Sequence, residues 1–169
     1  AIPLKLEESR SVTVRGEVFL AKKEFERLNK ELAEGGKQTY SNPRNLVAGT
    51  IRQLDPKITA HRKLNFYAYD VLRPEQYKTH SEVRQALKKF GFAVNENGET
   101  FNSLDQVFKF HKRWEKERGG LPYEIDGIFL TLNNNGVYNQ LGVIGKAPRG
   151  AIAYKFSPKE ATTILEDIK

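Results

Sequence analysis

The order of predicted strands and helices along this chain is irregular, and no internal repeat occurs. Residues 12–20 alternate apolar and polar side chains as a half-buried strand does, whereas apolar residues recur at helical spacing over residues 104–114. A regular alternation of strands and helices would indicate a parallel sheet. Its absence indicates an α+β fold with mainly antiparallel sheets and packed helices, and 169 residues is the size of one domain.

The composition excludes several kinds of site and favours a polyanionic partner. The chain has no cysteine, which rules out thiolate zinc sites, disulfides and cysteine catalysis for these residues. No apolar run reaches the roughly 18 residues of a membrane span, so we expect no membrane partner. The lack of cysteine fits a protein of the reducing cytoplasm, which is the location we expect, and we expect the protein to be a monomer. Lys and Arg outnumber Asp and Glu by 28 to 21. That excess favours nucleic acid or a phosphate-bearing ligand, although a solvated basic surface explains it equally well.

The first candidate site lies on the polar side of the strand predicted over residues 12–20. Its valines and Leu20 share one face, which leaves Arg15 and Glu17 together on the other. Gly16 lets a ligand approach the backbone, and the Glu17 carboxylate is suited to accept hydrogen bonds from a sugar hydroxyl. The alternative is an exposed Arg–Glu pair on an edge strand.

A basic stripe is predicted on the helix that begins around residues 41–43 and runs to about Leu54. Arg44 and Arg52 are eight residues apart, so their guanidinium groups lie on one side of that helix. Two arginines near a helix N-terminus are suited to bind phosphates. A solvated basic face is the alternative.

Aromatic residues dominate the strand predicted over residues 64–71. An aromatic strand is usually buried in the core. A tyrosine beside a nucleotide pocket, however, is suited to be the platform on which a base stacks.

The last predicted strand, residues 151–156, places Ala151, Ala153 and Lys155 on one face. An ammonium on a face lined by alanines requires an anionic partner and leaves room for a ligand above the sheet. Asp126, on a neighbouring strand predicted over residues 124–132, is suited to hold a divalent metal that bridges to phosphate. The alternative is that Lys155 and Asp126 neutralise each other in a structural ion pair.

Local signals set further boundaries. Ser81 is expected to open a helix that ends at Gly91, and Ser103 opens another as an N-cap. The asparagines and glycine at residues 133–136 predict a hairpin turn.

Motifs that share one order along nearly the whole chain occur at residues 2–6, 14–19, 42–45, 48–56, 66–69, 125–127, 147–149 and 151–156. The most specific block reads Asn-Pro-Arg-Asn at 42–45 and Arg-Gln-Leu-Asp-Pro at 52–56. In this order the motifs resemble the adenylation domain of the bacterial NAD-dependent DNA ligases. The block at 42–56 argues against an ATP-dependent ligase or a capping enzyme.

The resemblance implies that residues 1–169 form the later part of an adenylation domain, ahead of an OB-fold. The implied fold is a partial nucleotidyltransferase fold of the ATP-grasp-like DNA ligase type. The parent protein would be an enzyme that seals nicked double-stranded DNA with NAD and Mg²⁺. In this family a lysine attacks the adenylyl phosphorus of NAD, the AMP passes to the 5′-phosphate of the nick, and the 3′-hydroxyl displaces it.

The resemblance also assigns roles to single residues. Glu17 is expected to bind the ribose and Tyr69 to stack on adenine, while Lys155 neutralises the adenylyl phosphate. Phosphates of the nucleotide or of the nicked strand are assigned to Arg44 and Arg52.

The strand after residue 124 carries the remaining assignments. Asp126 is expected to bind the magnesium ion and assist the transfer. Thr131 stands where the family has a lysine that reads adenine, and Gly150 stands where it typically has tryptophan, so we expect looser packing at Gly150. Asp126 and Thr131 are five residues apart, so both face one site only with a bulge or strong twist near Gly127.

The family's nucleophile motif, Lys-x-Asp-Gly, does not occur within these 169 residues, because the only Asp-Gly follows Glu124 rather than a lysine. We therefore expect this chain to supply the nucleotide pocket without the lysine that becomes adenylylated. The alternative is a non-catalytic ligase-like module that binds nucleotide or DNA.

Overall fold

The structure is a computed structural model that describes residues 2–7, 11–72, 76–158, 164 and 167. Within these residues, six α-helices and six strands alternate irregularly, and the strands form three two-stranded antiparallel sheets. The expected mixed α/β content and antiparallel pairing are confirmed. No helix in this part of the chain is long and apolar enough to cross a bilayer. In chain order the elements are β1 (Val14–Phe19), α1 (Lys22–Glu34), α2 (Pro43–Ile51), α3 (Pro56–His61), β2 (Asn65–Val71), α4 (His80–Lys89), α5 (Leu104–Glu117), β3 (Gly127–Thr131), α6 (Asn135–Leu141), β4 (Val143–Ile144), β5 (Ala147–Pro148) and β6 (Ala151–Lys155).

The sheet of β1 and β2 buries one face against helices, as the alternation in β1 predicts. Val14 packs in a cluster with buried residues of β2 and α4, while Val18 packs in a second cluster with Leu20 and residues of α1 and α2. Arg15 and Glu17 are exposed on the outer face. The strict period of two in this segment therefore predicts both faces correctly.

A β-bulge interrupts the register of this sheet. The pairing shifts by one residue between Arg15 and Gly16, and Tyr69 of β2 has no Cα partner in β1. Because of the extra residue, Ala68 and Val71 both enter the core although they are three positions apart. Tyr69 itself remains 46% exposed.

The sheet of β3 and β6 has a regular register. Gly127 lies opposite Lys155, and Thr131 lies opposite Ala151. Since directly opposed residues share a face, Thr131, the alanines of β6 and Lys155 lie together, as the alternation in β6 predicts. The other face packs against α5, where Tyr154 contacts the helix.

Two predicted boundaries are wrong because asparagine and serine take part in tertiary contacts. Thr79, not Ser81, caps α4: its hydroxyl accepts a hydrogen bond from the Glu82 amide. The Ser81 hydroxyl donates instead to Asn133 Oδ1, at 2.8 Å. Residues 133–136 do not form a hairpin, because Asn134 caps α6. Asparagine favours both turns and N-caps, so the local sequence does not decide between them.

Gly150 is buried, and the ring of Tyr138 from α6 fills the space beside it. A Cβ atom at position 150 would overlap that ring. The looser packing expected at Gly150 is therefore not found, because an aromatic side chain from a neighbouring helix occupies the position.

We expect Gly127→Ala to destabilise the sheet of β3 and β6. The added Cβ would lie 2.5 Å from the Tyr154 carbonyl oxygen and 2.7 Å from Lys155 Cα, and paired backbone atoms do not move away easily. Urea denaturation should show a loss of about 1–3 kcal/mol in the free energy of unfolding. The control is Gly119→Ala, where nothing lies within 4 Å of the added Cβ. An equal loss in both variants would contradict the close approach at Gly127.

Candidate functional site

The centre of the candidate site is an ion pair between Lys155 and Asp126. Lys155 Nζ lies 3.1 Å from Asp126 Oδ2, and the two side chains are 70% and 71% exposed. Asp126 directly precedes β3, and its carbonyl oxygen accepts a hydrogen bond from the Phe156 amide at 2.9 Å. Because Asp126 lies outside the strand, its carboxylate reaches Lys155 without a register shift. The bulge expected near Gly127 is absent from the β3–β6 pairing.

Positive charges lower the pKa of the Asp126 carboxyl. The largest cause is the hydrogen bond from Lys155, which partial burial opposes, and the charges of Lys155 and Arg44 lower this pKa further. Arg44 lies at the start of α2, and its charge acts on the Asp126 carboxylate. This carboxylate is therefore influenced by cations from two other segments of the chain.

Both arginines of the predicted stripe are exposed, Arg44 in the first turn of α2 and Arg52 directly after its end. Asn42 caps the helix by accepting a hydrogen bond from the Asn45 amide, as the predicted start requires. The helix ends at Ile51, earlier than predicted, and Arg52 is its C-cap residue. Within the described ranges, neither Arg44 nor Arg52 forms an ion pair with a carboxylate. Both guanidinium groups are thus available to an anionic ligand.

Glu17 and Tyr69 lie on the sheet of β1 and β2. Glu17 is exposed opposite Tyr67 and has no side-chain hydrogen bond or ion pair with any residue that the structure describes. Arg15 pairs with Asp70, at 3.9 Å, and not with Glu17. Both residues are exposed on an edge strand, as the alternative also expects, but they do not form an ion pair with each other. That Glu17 binds a ribose stays a prediction.

The segment before β3 contacts the outer face of this first sheet. The Tyr123 ring packs 5.0 Å from Phe19 and 5.9 Å from Tyr67, measured between ring centroids. The segment after β3 instead joins the start of α4, where the His80 amide donates a hydrogen bond to the Asn133 carbonyl oxygen at 2.8 Å. The chain that contains β3 is thus held at one end against the face that carries the predicted ribose-binding residue.

The two halves of the predicted site are not joined directly. No hydrogen bond or ion pair in the described part of the chain links Glu17 or Tyr69 to Lys155 or Thr131. That these four side chains converge on one nucleotide stays a prediction.

Phe129 is a candidate that the sequence pattern did not single out. It lies opposite Ala153, on the face of Thr131 and Lys155, and is 66% exposed. An exposed aromatic ring on this face is suited to contact a planar base. The sequence could have indicated this residue, because positions 127, 129 and 131 of one strand share a face and Phe129 is therefore on the face of Thr131.

The donor set around Asp126 limits how a metal can bind. No group of three or more His, Asp or Glu side chains is arranged to hold a metal among the residues that the structure describes. Mg²⁺ commonly takes one or two carboxylates and completes its shell with water and phosphate oxygens. A single ionised, exposed carboxylate fits that role when a phosphate-bearing substrate supplies other ligands.

A comparison with known protein families matches residues 1–159 to the NAD-dependent DNA ligase adenylation domain. The chain belongs to this family. Similar proteins include those named DNA ligase from Natranaerobius thermophilus and Brevibacillus brevis, each 43% identical over 99% and 100% of the chain respectively. Another, from Shouchella clausii, is 40% identical over 100% of the chain. The chain spans 26% of the length of each of these relatives. The resemblance carried by the ordered motifs is thereby confirmed.

We expect Lys155→Met to raise the pKa of Asp126 toward its ordinary value, because the hydrogen bond from Lys155 is the largest cause of the lowering. Arg44→Gln should raise this pKa less, since Arg44 acts only through its charge. A ¹³C NMR titration of the Asp126 carboxyl measures both shifts. Lys112→Met, which removes an exposed lysine of α5, is the control and should leave the titration unchanged.

The same ion pair predicts the sign of a pH effect on stability. A carboxyl with a lower pKa in the folded chain contributes stability that is complete above its unfolded pKa, about 3.9 for Asp. The contribution is lost as the pH falls through the lowered value. Acid unfolding of the wild type should therefore require a lower pH than that of Lys155→Met. Equal acid midpoints and an unchanged Asp126 titration would contradict the ion pair.

Proposed function

We propose that this chain supplies the nucleotide pocket of an NAD-dependent DNA ligase. Residues 1–169 would form the later part of an adenylation domain with the nucleotidyltransferase fold of the ATP-grasp-like DNA ligases. The observation that carries the proposal is the exposed Lys155–Asp126 pair, with Arg44 nearby, in a chain that belongs to the adenylation-domain family.

Lys155 would neutralise the adenylyl phosphate. Transfer of an adenylyl group places negative charge on the phosphate oxygens, and a positioned ammonium stabilises that charge. The contact with Asp126 holds the ammonium at the end of β6 before a nucleotide arrives. Mg²⁺, when bound through Asp126, supplies further neutralisation of the phosphates.

The nucleoside would be recognised by both sheets. The Glu17 carboxylate would accept hydrogen bonds from the ribose, and the exposed Tyr69 ring would stack on adenine. Phe129 and Thr131 would approach the base from β3. Supporting this assignment, Glu17 has no competing partner in the described residues, and Tyr69 and Phe129 expose large aromatic surfaces.

Arg44 and Arg52 would bind phosphates of the nucleotide or of the nicked strand. Both are exposed and unpaired with carboxylates within the described ranges, and the chain carries a formal charge of +7. Contacts of this kind weaken as salt concentration rises, because counterions are released when DNA binds.

The parent protein would seal nicks in double-stranded DNA, in replication and repair. A lysine nitrogen, supplied by a Lys-x-Asp-Gly motif that these residues do not contain, would form a bond to the adenylyl phosphorus as nicotinamide mononucleotide leaves. The AMP would pass to the 5′-phosphate of the nick, and attack by the 3′-hydroxyl would release it. We propose a monomeric cytoplasmic enzyme.

A second candidate is a ligase-like module that binds nucleotide or DNA without catalysis. Thr131 favours it, since a neutral hydroxyl stands where the family's lysine reads the base. The two candidates differ in whether the full-length protein becomes adenylylated.

Intact-mass measurement after incubation with NAD and Mg²⁺ should show added AMP on the full-length protein but none on the 169-residue chain, which lacks the nucleophile motif. Lys155→Met in the full-length protein should slow adenylylation by about 10²–10³-fold, the usual cost of removing a group that stabilises the transition-state charge. The control Lys112→Met should react at the wild-type rate.

Three outcomes would contradict the proposal. Added AMP on the 169-residue chain would mean that another lysine acts. An unchanged rate in Lys155→Met would remove Lys155 from the site. A full-length protein that binds NAD without becoming adenylylated would favour the binding module.

Thr131→Lys in the full-length protein should tighten NAD binding roughly tenfold, since about 1.4 kcal/mol corresponds to a factor of ten. A neutral hydrogen bond contributes about 0.5–1.5 kcal/mol, against about 1.5–3 kcal/mol for one with a charged donor. Isothermal titration calorimetry measures the change, with Thr131→Val as the variant that loses the hydroxyl. Unchanged affinity in both variants would show that position 131 does not contact the base.

A further inference from the structure

One face of α5 contacts the end of β6 and the residues that follow it. The four contacting side chains recur at three- and four-residue spacing, which places them on one side of the helix. They touch the consecutive residues from Tyr154 to Ser157. In order along the helix they are Phe108, His111, Glu115 and, directly after its end, Arg118.

His111 makes the most specific of these contacts. It is only 7% exposed, and its Nε2 lies 3.0 Å from the carbonyl oxygen of Lys155. Since a carbonyl oxygen only accepts, Nε2 carries the hydrogen and donates it. The imidazole also stacks on Tyr154, with ring centroids 3.9 Å apart, and packs 4.9 Å from Phe156.

The strand pairing explains why the Lys155 carbonyl requires this donor. The Phe156 amide donates to the carbonyl oxygen of Asp126, so these two residues form a hydrogen-bonded position of the ladder. In an antiparallel ladder the next pair, Gly127 with Lys155, is then a non-hydrogen-bonded one, and its backbone groups point away from the partner strand. The Lys155 carbonyl thus faces away from β3, and His111 satisfies it.

Neighbouring contacts hold the backbone after Lys155 as well. The Glu115 carboxylate accepts a hydrogen bond from the Ser157 amide at 3.0 Å, which lowers the pKa of Glu115. The Arg118 guanidinium lies 5.0 Å from the centre of the Phe156 ring. The peptide units on the C-terminal side of Lys155 are therefore fixed by α5 and by Asp126 together.

We propose that His111 is a positioning residue, whose hydrogen bond to the Lys155 carbonyl sets the place of the Lys155 ammonium beside Asp126. The inference rests on the role proposed above for Lys155 where it concerns catalysis. An apolar side chain would fill the same space against Tyr154 and Phe156. Only a donor at the Nε2 position also fixes the peptide plane from which the Lys155 side chain departs.

The test compares variants of the full-length protein that keep packing or hydrogen bonding. His111→Phe and His111→Leu keep an apolar contact and lose the donor, whereas the Gln side chain of His111→Gln places an amide nitrogen near the Nε2 position. Phe108→Leu, on the same face of α5, alters packing against Tyr154 without touching the Lys155 carbonyl. Circular dichroism establishes that each variant is folded.

The first measurement does not depend on catalysis. An amine-reactive ester labels lysines, and mass spectrometry gives the labelling rate of Lys155 relative to the exposed Lys23 of α1. His111→Phe and His111→Leu should label Lys155 about threefold faster, because the ammonium spends more time away from Asp126. His111→Gln and Phe108→Leu should stay near the wild-type rate.

The second measurement is the rate of lysyl-AMP formation with NAD. His111→Phe should lower kcat roughly tenfold with KM for NAD nearly unchanged, since the loss of one positioned hydrogen bond in the reacting complex corresponds to about that factor. His111→Gln should recover most of the rate.

Distinct results overturn the positioning role and the proposed function. If His111→Phe and His111→Leu label Lys155 at the wild-type rate, or if Phe108→Leu matches them, His111 only packs against β6. The same conclusion follows if His111→Gln changes the labelling rate of Lys155 and the rate of lysyl-AMP formation as much as His111→Phe does.

If the apolar variants do not fold, His111→Gln alone decides the role of His111. Faster labelling of Lys155 in this variant overturns the proposal, and labelling at the wild-type rate supports it. Absence of lysyl-AMP in the wild type overturns the proposed function, while the labelling comparison still decides the role of His111.

Discussion

Antiparallel pairing of β3 with β6 is the interaction on which the candidate site depends. It brings Asp126 and Lys155, 29 residues apart in sequence, to a separation of 3.1 Å. Because side chains alternate along a strand, a slip of one residue in β6 would turn the Lys155 side chain toward α5. Gly127 supports this register, since its missing side chain allows the backbone of β6 to come close. The geometry of the cation–carboxylate pair is therefore a property of the backbone ladder.

Charge in the site is arranged by elements that lie far apart in the sequence. The N-terminal end of α2 brings Arg44 near a carboxylate that precedes β3, and the ammonium comes from the end of β6. All three groups are exposed, so their mutual attraction is weakened by solvent. A polyphosphate ligand that displaced water from between them would strengthen each interaction. This arrangement favours ligand binding over a contribution to stability.

Regular alternation made the faces of β1 and β6 predictable, because burial of one side imposes a period of two. The position of the bulge and the choice between a turn and a helix cap depend on tertiary contacts, which local sequence patterns do not predict. The bulge at Tyr69 adds one residue to β2 without a distinguishing residue type, and Asn134 has the composition of a turn but caps a helix. The partner of His111 is 44 residues away, so its amphipathic helix predicts that it is buried but not what it contacts. The strand faces that carry the candidate site residues were thus predictable from the sequence, but their supporting contacts were not.

Because of the bulge in β2, the adjacent residues Ala68 and Tyr69 are under different structural constraints. Ala68 is 2% exposed, so any larger side chain there has to be accommodated by the core. Tyr69 has no partner in β1 and projects a half-exposed ring, so its replacement leaves the buried cluster intact. If Tyr69 stacks on the base as proposed, a substitution there would alter base preference while leaving the thermal stability of the domain nearly unchanged, whereas the neighbouring alanine is constrained by packing.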